Sequence, residues 1–271
     1  MSIIGRLKKI IIKIIYRLGL GPISFIGPYE SWQKALDEVK GYQDKELQEY
    51  LYNQALKVRE GKAVYERDGV LFDQIQRSWP LSLSIVMASR ILHKDNINIL
   101  DYGGSYGTTA KENEIIESAL GIKLNWQIIE NEYLVSQAKK SFTTDRIRFF
   151  YDLEEITKQS LITDIVLFGS CIQYIEHPYK LIDQINTNIS PSFFLFDRTS
   201  FSDNGKENIY KQIVKIKYKA SYPVHALCEG DFLQFFRDNK YNNIFSWDCD
   251  KIPESNQYFR GFFFKKDNIQ A

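Results

Sequence analysis

A repeating pattern occupies the middle of the chain. Between residues 97 and 197, short and continuously apolar runs alternate with segments whose apolar residues recur every three or four positions. The apolar runs lie at residues 97–101, 125–130, 147–151, 164–169 and 193–197, and the helical segments lie at 108–120, 133–141 and 178–189. Continuous apolar runs are typical of strands buried on both faces, and strands that alternate with helices imply parallel pairing. The sequence therefore predicts an α/β fold with an open, mostly parallel sheet and helices on both faces.

The segments on either side of this pattern differ from it. Residues 23–94 predict a helical cap, with a loop followed by helices at 31–39, at 44–59 and, interrupted near Trp79-Pro80, at 64–92. The last seventy residues contain FSDN, KYKASYPVH, DFLQFF and YFRGFFFKK, which we interpret as further strands that close one edge of the sheet. These boundaries predict an N-terminal helix at 1–22, the cap at 23–94 and the main domain at 95–271.

The first twenty residues are basic and amphipathic. Their apolar residues fall at three- and four-residue spacing on one face, with most of the basic residues opposite. Lys8, Lys9 and Lys13 interrupt the apolar run, so the segment predicts neither a membrane span nor a signal peptide. Such a helix can lie on an anionic membrane surface, or it can pack on its own domain or on a second subunit. We expect a cytoplasmic protein that contacts the inner face of the membrane if the first alternative holds.

Charge and cysteine content exclude some function classes. The 271-residue chain has a net charge of +1, and its first twenty residues carry five basic residues and no acidic one. The rest of the chain therefore has a net charge of −4, which gives no reason to expect nucleic acid as a partner. The three cysteines form no CxxC pair, which predicts reduced thiols and no metal site.

The turn after the first apolar run carries the strongest functional signal. In ILDYGGSYGTTA (99–110), the strand ends at Asp101, and Gly103, Gly104, Ser105 and Gly107 follow. Polar residues also come at or just after the ends of the next four runs, namely Glu130, Asp152, Ser170 and Asp197. The carboxyl ends of parallel strands meet at one edge of a sheet, where ligands bind. We therefore expect these side chains to face one crevice.

The spacing within this turn favours S-adenosylmethionine over a dinucleotide. The glycines do not match GxGxxG, and an acid two residues before Gly103 would repel a pyrophosphate. S-adenosylmethionine carries an ammonium group and a sulfonium and no phosphate, which suits Asp101. Glu130 can accept both hydrogen bonds of a ribose diol, and Asp152 can accept one from the adenine amino group.

Several motifs between residues 27 and 225 occur together in a specific combination. They are GPYESWQKAL (27–36), GY (41–42), YERDGVLFD (65–73), SWPL (78–81), ILDYGGSYG (99–107), WQIIE (126–130), DIVLFGSCIQYIEHPYKLI (164–182), FDRTSF (196–201) and ASYP (220–223). With these motifs the sequence resembles class I S-adenosylmethionine-dependent methyltransferases, and more narrowly a methyltransferase family found among bacterial surface-polysaccharide (capsule and lipopolysaccharide) genes. The resemblance implies a Rossmann-like methyltransferase fold. Ser105 departs from the general pattern, in which a glycine is usual at this position.

The resemblance and the strand-end positions together predict three groups of site residues and no metal ligand. The predicted cofactor-binding residues are Arg67, Asp101, Gly103, Gly104, Ser105, Gly107, Glu130, Asp152 and Ser170. The predicted substrate-binding residues are Gln173, Tyr174, Arg198 and Tyr222, and the predicted catalytic residues are His225, Asp197 and His177. Arg67 would clamp the carboxylate of the cofactor, and its alternative is a surface ion pair with Glu66 or Asp68. Cys171 is interpreted as a packing residue, since methyl transfer needs no covalent enzyme intermediate.

The predicted reaction is an in-line displacement at the methyl carbon. For a hydroxyl acceptor, His225 or His177 would remove the proton. For an anionic acceptor no base is needed, and Arg198 would hold the charge. The resemblance alone implies that the acceptor is an oxygen of a surface-glycan component or of its activated or phosphate-type precursor. Two alternatives remain, a nicotinamide-dependent Rossmann enzyme and a cofactor-binding protein without catalytic activity.

Overall fold

The computed structural model describes residues 21–39, 41, 45–215, 219–249, 252, 255–267 and 269. The helix that the sequence predicts within residues 1–20 lies outside the described residues. Within the described ranges, no helix combines the length and the apolar character that a membrane span requires.

Strands and helices alternate along much of the described chain. The strands are β1 (Ile23–Tyr29), β2 (Tyr65–Arg67), β3 (Val70–Phe72), β4 (Asn96–Tyr102), β5 (Lys123–Ile129), β6 (Ile147–Phe150), β7 (Ile165–Gly169), β8 (Phe193–Ser202), β9 (Asn208–Val214), β10 (Ala220–Ala226), β11 (Tyr241–Asp248) and β12 (Gln257–Lys266). The helices are α1 (Trp32–Leu36), α2 (Lys45–Arg59), α3 (Trp79–Leu92), α4 (Thr108–Leu120), α5 (Glu132–Ser141), α6 (Leu153–Lys158), α7 (Pro178–Asn188) and α8 (Glu229–Asp238), with a 3-10 turn at Ile172–Tyr174.

Seven of these strands form the central sheet, in the order β11-β12-β8-β7-β4-β5-β6. The five strands from β8 to β6 are parallel, whereas β12 pairs antiparallel with both β8 and β11. The predicted α/β fold with a mostly parallel sheet is therefore confirmed. The strand order reverses at β4, because β5 lies on one side of it and β7 on the other. A crevice beyond the carboxyl ends of β4 and β7 is where such a sheet binds ligands.

Helices cover both faces of the central sheet. On one face, α3, α4 and α5 contribute buried residues that include Ile85, Ile116 and Val135. On the other face, α7 and α8 pack on a core rich in phenylalanine, where the rings of Phe236 and Phe264 stack at 4.1 Å. Burial on both faces explains why the parallel strands are continuously apolar in sequence.

A second, three-stranded sheet joins distant parts of the chain. β9 pairs antiparallel with β1 on one side and with β10 on the other. The prediction of a loop before residue 31 is therefore wrong, as is the placement of all late strands at one edge of the central sheet. β11 and β12 do extend that edge, but β9 and β10 pair with an N-terminal strand instead. Pairing over such a separation leaves little local signal in the sequence.

Two predicted elements have the wrong type. Residues 65–72, predicted as helical, form the hairpin of β2 and β3, whose turn residues Asp68 and Gly69 both have positive φ. Asp-Gly is a favoured dipeptide for a two-residue hairpin turn, so this signal was present in the sequence. DFLQFF, predicted as a strand, lies in the helix α8. Its buried residues Phe232 and Phe236 are four positions apart, which is helical spacing.

Candidate functional site

The turn after β4 is built around a buried carboxylate. Asp101 is 1% exposed, and neither of its oxygens has a hydrogen-bond partner among the described residues. A Cβ placed on Gly104 would lie 2.4 Å from Asp101 Oδ2, so the backbone of the turn passes directly over the carboxylate. Burial raises the pKa of Asp101 to about 8, and the hydroxyl of Thr109 nearby offsets this only in part. A carboxylate held in this way favours either a proton or a cation beside it.

Glu130 follows β5 and reaches the same turn. Its Oε1 accepts a hydrogen bond from the Ser105 backbone N–H (3.2 Å), and its Oε2 accepts from the backbone and side-chain nitrogens of Asn131 (3.1 and 3.2 Å). Burial raises the pKa of this carboxyl as well. Since each carboxylate oxygen can accept two hydrogen bonds, Oε1 can accept a further one from a ligand.

Backbone strain marks the same edge of the sheet. Ser105 after β4, Ser170 after β7 and Arg198 in β8 have φ values of 50°, 61° and 53°. Left-handed conformations are unfavourable for residues other than glycine, and they concentrate at functional sites. Gly103 and Gly107 have positive φ as well.

The turn after β7 is tied to the neighbouring strands. The Ser170 N–H donates to the Asp197 carbonyl (2.8 Å), and Gln173 Nε2 donates to Ser170 Oγ (3.3 Å) and to the Arg198 carbonyl (3.2 Å). The Cys171 thiol donates to the Tyr102 carbonyl (2.8 Å), and burial raises its pKa well above the ordinary value. Cys171 therefore has the contacts of a packing residue and not those of a nucleophile.

Asp197 and Arg198 lie beside this turn. The register of the parallel strands places Asp197 next to Gly169, at the end of β7. Asp197 is 1% exposed and accepts a hydrogen bond from Trp247 Nε1 (3.1 Å), while Arg198 Nη1 lies 2.9 Å from its other oxygen. The structure therefore brings Asp197 and Arg198 together with Ser170 and Gln173.

The hairpin of β2 and β3 sits over the start of α4. The Tyr65 hydroxyl donates to Glu112, and Glu66 accepts from the Gly69 N–H (2.5 Å) and from Thr108 Oγ1 (3.4 Å). Glu66 is buried, which raises its pKa to about 7. These contacts place a second buried carboxylate beside the glycine turn. From the sequence, Glu66 was named only as an alternative partner of Arg67, because residues 64–92 were predicted as helical, and Glu112 was not singled out within the correctly predicted helix α4.

Arg67 ends β2, and its guanidinium lies 5.8 Å from the centre of the Phe72 ring. Its position near Glu112 and Tyr65 is evident from its effect on the pKa of both groups. Asp152 lies at the end of β6, as its place in the sequence indicated, but it caps α6 by accepting from the Glu155 N–H (2.9 Å). The predicted ligand contacts of Arg67 and Asp152 stay predictions.

The two candidate histidines lie apart from these groups. His225 is 4% exposed in β10, where its ring stacks on Trp32 at 4.5 Å. Its nitrogens lie 2.7 Å from Glu207 Oε1 and 3.2 Å from the Glu176 carbonyl. His177 has an exposed side chain at the start of α7. None of the contacts described for either ring involves Asp197, Arg198 or Ser170, and the predicted role of a histidine as the base stays a prediction.

Tyr174 and Tyr222 connect the second sheet to the turn after β7. Their rings meet edge to face at 5.0 Å, and the Tyr174 hydroxyl donates to Gln212 Oε1 (3.1 Å). Successive strand residues alternate between faces, so Tyr222 and His225 point to opposite sides of β10. Tyr222 therefore lies on the face that packs against Tyr174, whereas His225 lies on the face that packs against Trp32 of α1.

We expect His225→Ala to act on stability and not on cofactor binding. Losing the buried ring that packs on Trp32, together with its contact to the Glu176 carbonyl, should lower the free energy of unfolding by about 1–3 kcal/mol. Chemical denaturation and calorimetric titration with S-adenosylhomocysteine test this, with His177→Ala as the exposed control. A loss of affinity in His225→Ala without a loss of stability would contradict it.

Among the comparisons with known proteins, the one with solved structures gives matches. No protein-family model matches the sequence, and no curated protein matches it. Some solved methyltransferase structures share part of the arrangement. An S-adenosylmethionine-dependent methyltransferase from Clostridium acetobutylicum has 13% identity and a TM-score of 0.45, over 70% of this chain and 93% of that one.

Two further structures are similarly distant. A 1,6-didemethyltoxoflavin-N1-methyltransferase from Burkholderia thailandensis has 15% identity and a TM-score of 0.41, over 85% of this chain and 93% of that one. Magnesium protoporphyrin IX methyltransferase from Synechocystis PCC 6803 has 11% identity and a TM-score of 0.44, over 84% of this chain and 99% of that one.

Proposed function

We propose that this protein is an S-adenosylmethionine-dependent methyltransferase. The observation that carries the proposal is the buried Asp101 carboxylate, which lies under Gly104 and has the Thr109 hydroxyl nearby but no hydrogen bond of good geometry among the described residues. An unpaired buried carboxylate is costly, and a cationic ligand group would remove that cost. The ammonium group of the cofactor has the required charge, and Gly104 has no side chain that would displace the carboxylate.

Glu130 is placed to accept a hydrogen bond from the ribose of the same ligand. Its Oε1 can accept a second hydrogen bond beside the one from Ser105, as recognition of a ribose hydroxyl requires. Arg67, which ends the same strand as Glu66, is the residue that would hold the cofactor carboxylate.

The same acids count against a nicotinamide cofactor. A dinucleotide places its pyrophosphate at the N-terminus of the helix after the first strand. Here that helix is α4, and Glu66 meets its first residue, Thr108, while Glu130 meets Ser105 just before it. Carboxylates in these positions would repel a phosphate.

The chain's own residues would position the two reactants. Bound S-adenosylmethionine supplies the activated methyl group. Asp101 and Glu130 would hold the cofactor, while the turn from Ser170 to Tyr174 would form the wall next to the acceptor and orient it for in-line attack. Arg198 would neutralise an anionic acceptor, and in that case no base is needed. We favour this route because neither histidine lies beside Arg198.

The raised pKa of Asp101 predicts how the stability of the protein depends on pH. This raised pKa means that the folded protein retains a proton that the unfolded chain releases near the ordinary value of 3.8. Stability in the absence of cofactor should therefore fall as pH rises from about 4 to about 8. We expect Asp101→Asn to gain stability relative to the parent protein over this window, as measured by chemical denaturation at pH 5 to 8.5. The parallel contribution of Glu66 cancels in the comparison. A pH-independent difference would contradict the assignment.

For the acceptor, we propose an oxygen of a bacterial surface-glycan component or of its activated precursor. The resemblance over residues 27–225 is the support for this substrate class, and the basic segment 1–20 is compatible with work at a membrane surface. The test is incubation with methyl-labelled S-adenosylmethionine and a bacterial cell-envelope extract. Label should enter the glycan fraction with the parent protein and not with Glu130→Ala. Label that enters protein or small molecules alone would overturn the glycan assignment.

A further inference from the structure

An apolar groove lies on the face of the sheet that α3 covers. Its volume is about 680 Å³, within the usual range for a small-molecule site. The floor includes Trp79 and Leu83 of α3, and the walls include Leu120 of α4 and Phe245 of β11. Trp79, Leu83 and Leu120 are 61%, 52% and 50% exposed. Large exposed apolar side chains that adjoin one another mark a binding surface.

The lining offers almost nothing that could bind a polar ligand. Ser82 is its one residue with a polar side chain apart from the tryptophan rings, and the Ser82 hydroxyl already donates to Asn113 Oδ1 (2.7 Å). A ligand that fills the groove must therefore be apolar along its length. A hydrocarbon chain meets this requirement, because it needs no hydrogen-bond partner.

One end of the groove reaches the candidate site. Trp247 lines the groove, and its indole N–H donates to Asp197 Oδ1 (3.1 Å). The ring lies against Gly261, where a Cβ would come within 2.0 Å of it, so its position is well defined. Near Trp79, Arg77 stands 5.8 Å from the ring centre and donates to the Glu112 carbonyl (3.1 Å). The groove is therefore apolar along its floor and polar where it meets the strand ends.

We propose that this groove holds the hydrocarbon chain of the methyl acceptor, which makes the acceptor a lipid-linked molecule. The proposal rests on the proposed function, since Asp197 and Arg198 are the residues that would meet the acceptor's polar head. A chain in the groove would leave that head at the end where Trp247 contacts Asp197. The composition of residues 1–20 suits an anionic membrane surface, where a lipid-linked acceptor would be found.

The test uses n-alkyl β-D-glucosides with six, eight and ten carbons, kept below their micelle concentrations. Binding is followed by tryptophan fluorescence, to which Trp79 and Trp247 contribute. We expect the affinity to rise with chain length, by at most about fourfold per methylene (~0.8 kcal/mol). Leu83→Lys should remove the dependence on chain length. Ile162→Lys, which changes an apolar residue of 67% exposure outside the groove, should retain it.

Titration with S-adenosylhomocysteine distinguishes a failure of the groove proposal from a failure of the proposed function. Affinity that is independent of chain length, or unaffected by Leu83→Lys, would overturn the groove as a chain-binding site. The parent protein could instead self-associate and bind no glucoside, and Leu83→Lys could make it monomeric. That result would show that a second copy covers the groove, and it would also overturn the proposal. Chain-dependent binding without any binding of S-adenosylhomocysteine would overturn the proposed function, and with it the link to a methyl acceptor, but not the chain-binding groove.

Discussion

Glu130→Ala should weaken the binding of S-adenosylmethionine about 5- to 150-fold, which corresponds to about 1–3 kcal/mol. The substitution removes the carboxylate whose Oε1 would accept a ribose hydroxyl. It also removes the acceptor for the Ser105 N–H, which holds the glycine turn against β5. Calorimetric titration of the parent and variant proteins with S-adenosylmethionine measures the effect.

A matched control is available two residues further along. Glu132 lies in the first turn of α5 and is exposed, so Glu132→Ala should leave the affinity unchanged. Glu130→Gln separates the two roles. The amide keeps one oxygen, which can still accept from the Ser105 N–H, but the NH2 group that replaces the second oxygen accepts no hydrogen bond. Equal affinities for the parent protein and Glu130→Ala would remove Glu130 from the cofactor site.

Gly104→Ala should lower the affinity for S-adenosylmethionine at least tenfold and the free energy of unfolding by about 1–3 kcal/mol. The new Cβ would lie 2.4 Å from Asp101 Oδ2 and 2.5 Å from its Cγ, so either the turn or the carboxylate must move. The carboxylate has little room to move, because it is buried. Chemical denaturation and calorimetry on the same preparation measure both effects.

Gly230→Ala provides the comparison for this contact. Gly230 lies in the first turn of α8, and the nearest atom to a Cβ there is Cys228 Sγ at 3.8 Å. This substitution should leave binding unchanged and stability unchanged or slightly raised, since alanine favours helices. If Gly104→Ala bound the cofactor as tightly as Gly230→Ala does, the turn would not be the place where the cofactor approaches the backbone.

The parallel part of the fold could be predicted from the sequence because its signals are local. Each strand from β4 to β8 contains a short apolar run, and burial on both faces of the sheet favours this. The helices between them carry their own periodicity, and α4 ends at Gly121, as the sequence indicated. The pairing of β1 with β9 joins residues nearly two hundred positions apart, and no local pattern records such a contact.

The site residues that could be predicted are those whose place in the sheet follows directly from their place in the sequence. Asp101 and Glu130 lie at the carboxyl ends of the neighbouring strands β4 and β5, and Asp197 lies beside the end of β7, because each comes at the end of an apolar run. Glu66 could not be placed in this way, since it reaches α4 through a hairpin whose Asp-Gly turn was not recognised. His225 was singled out because a histidine can act as a general base, and residue type contains no information about which face of β10 a side chain occupies.

The most direct test of the central claim is a calorimetric titration of the purified protein with S-adenosylmethionine, S-adenosylhomocysteine and NAD. The arrangement of Asp101, Glu130 and the glycine turn predicts binding of the first two ligands in the micromolar range and no binding of NAD. S-adenosylhomocysteine retains the ammonium group and the ribose, so it should bind although it lacks the sulfonium. Binding of NAD alone, or of none of the three, would contradict the cofactor assignment and every role that depends on it.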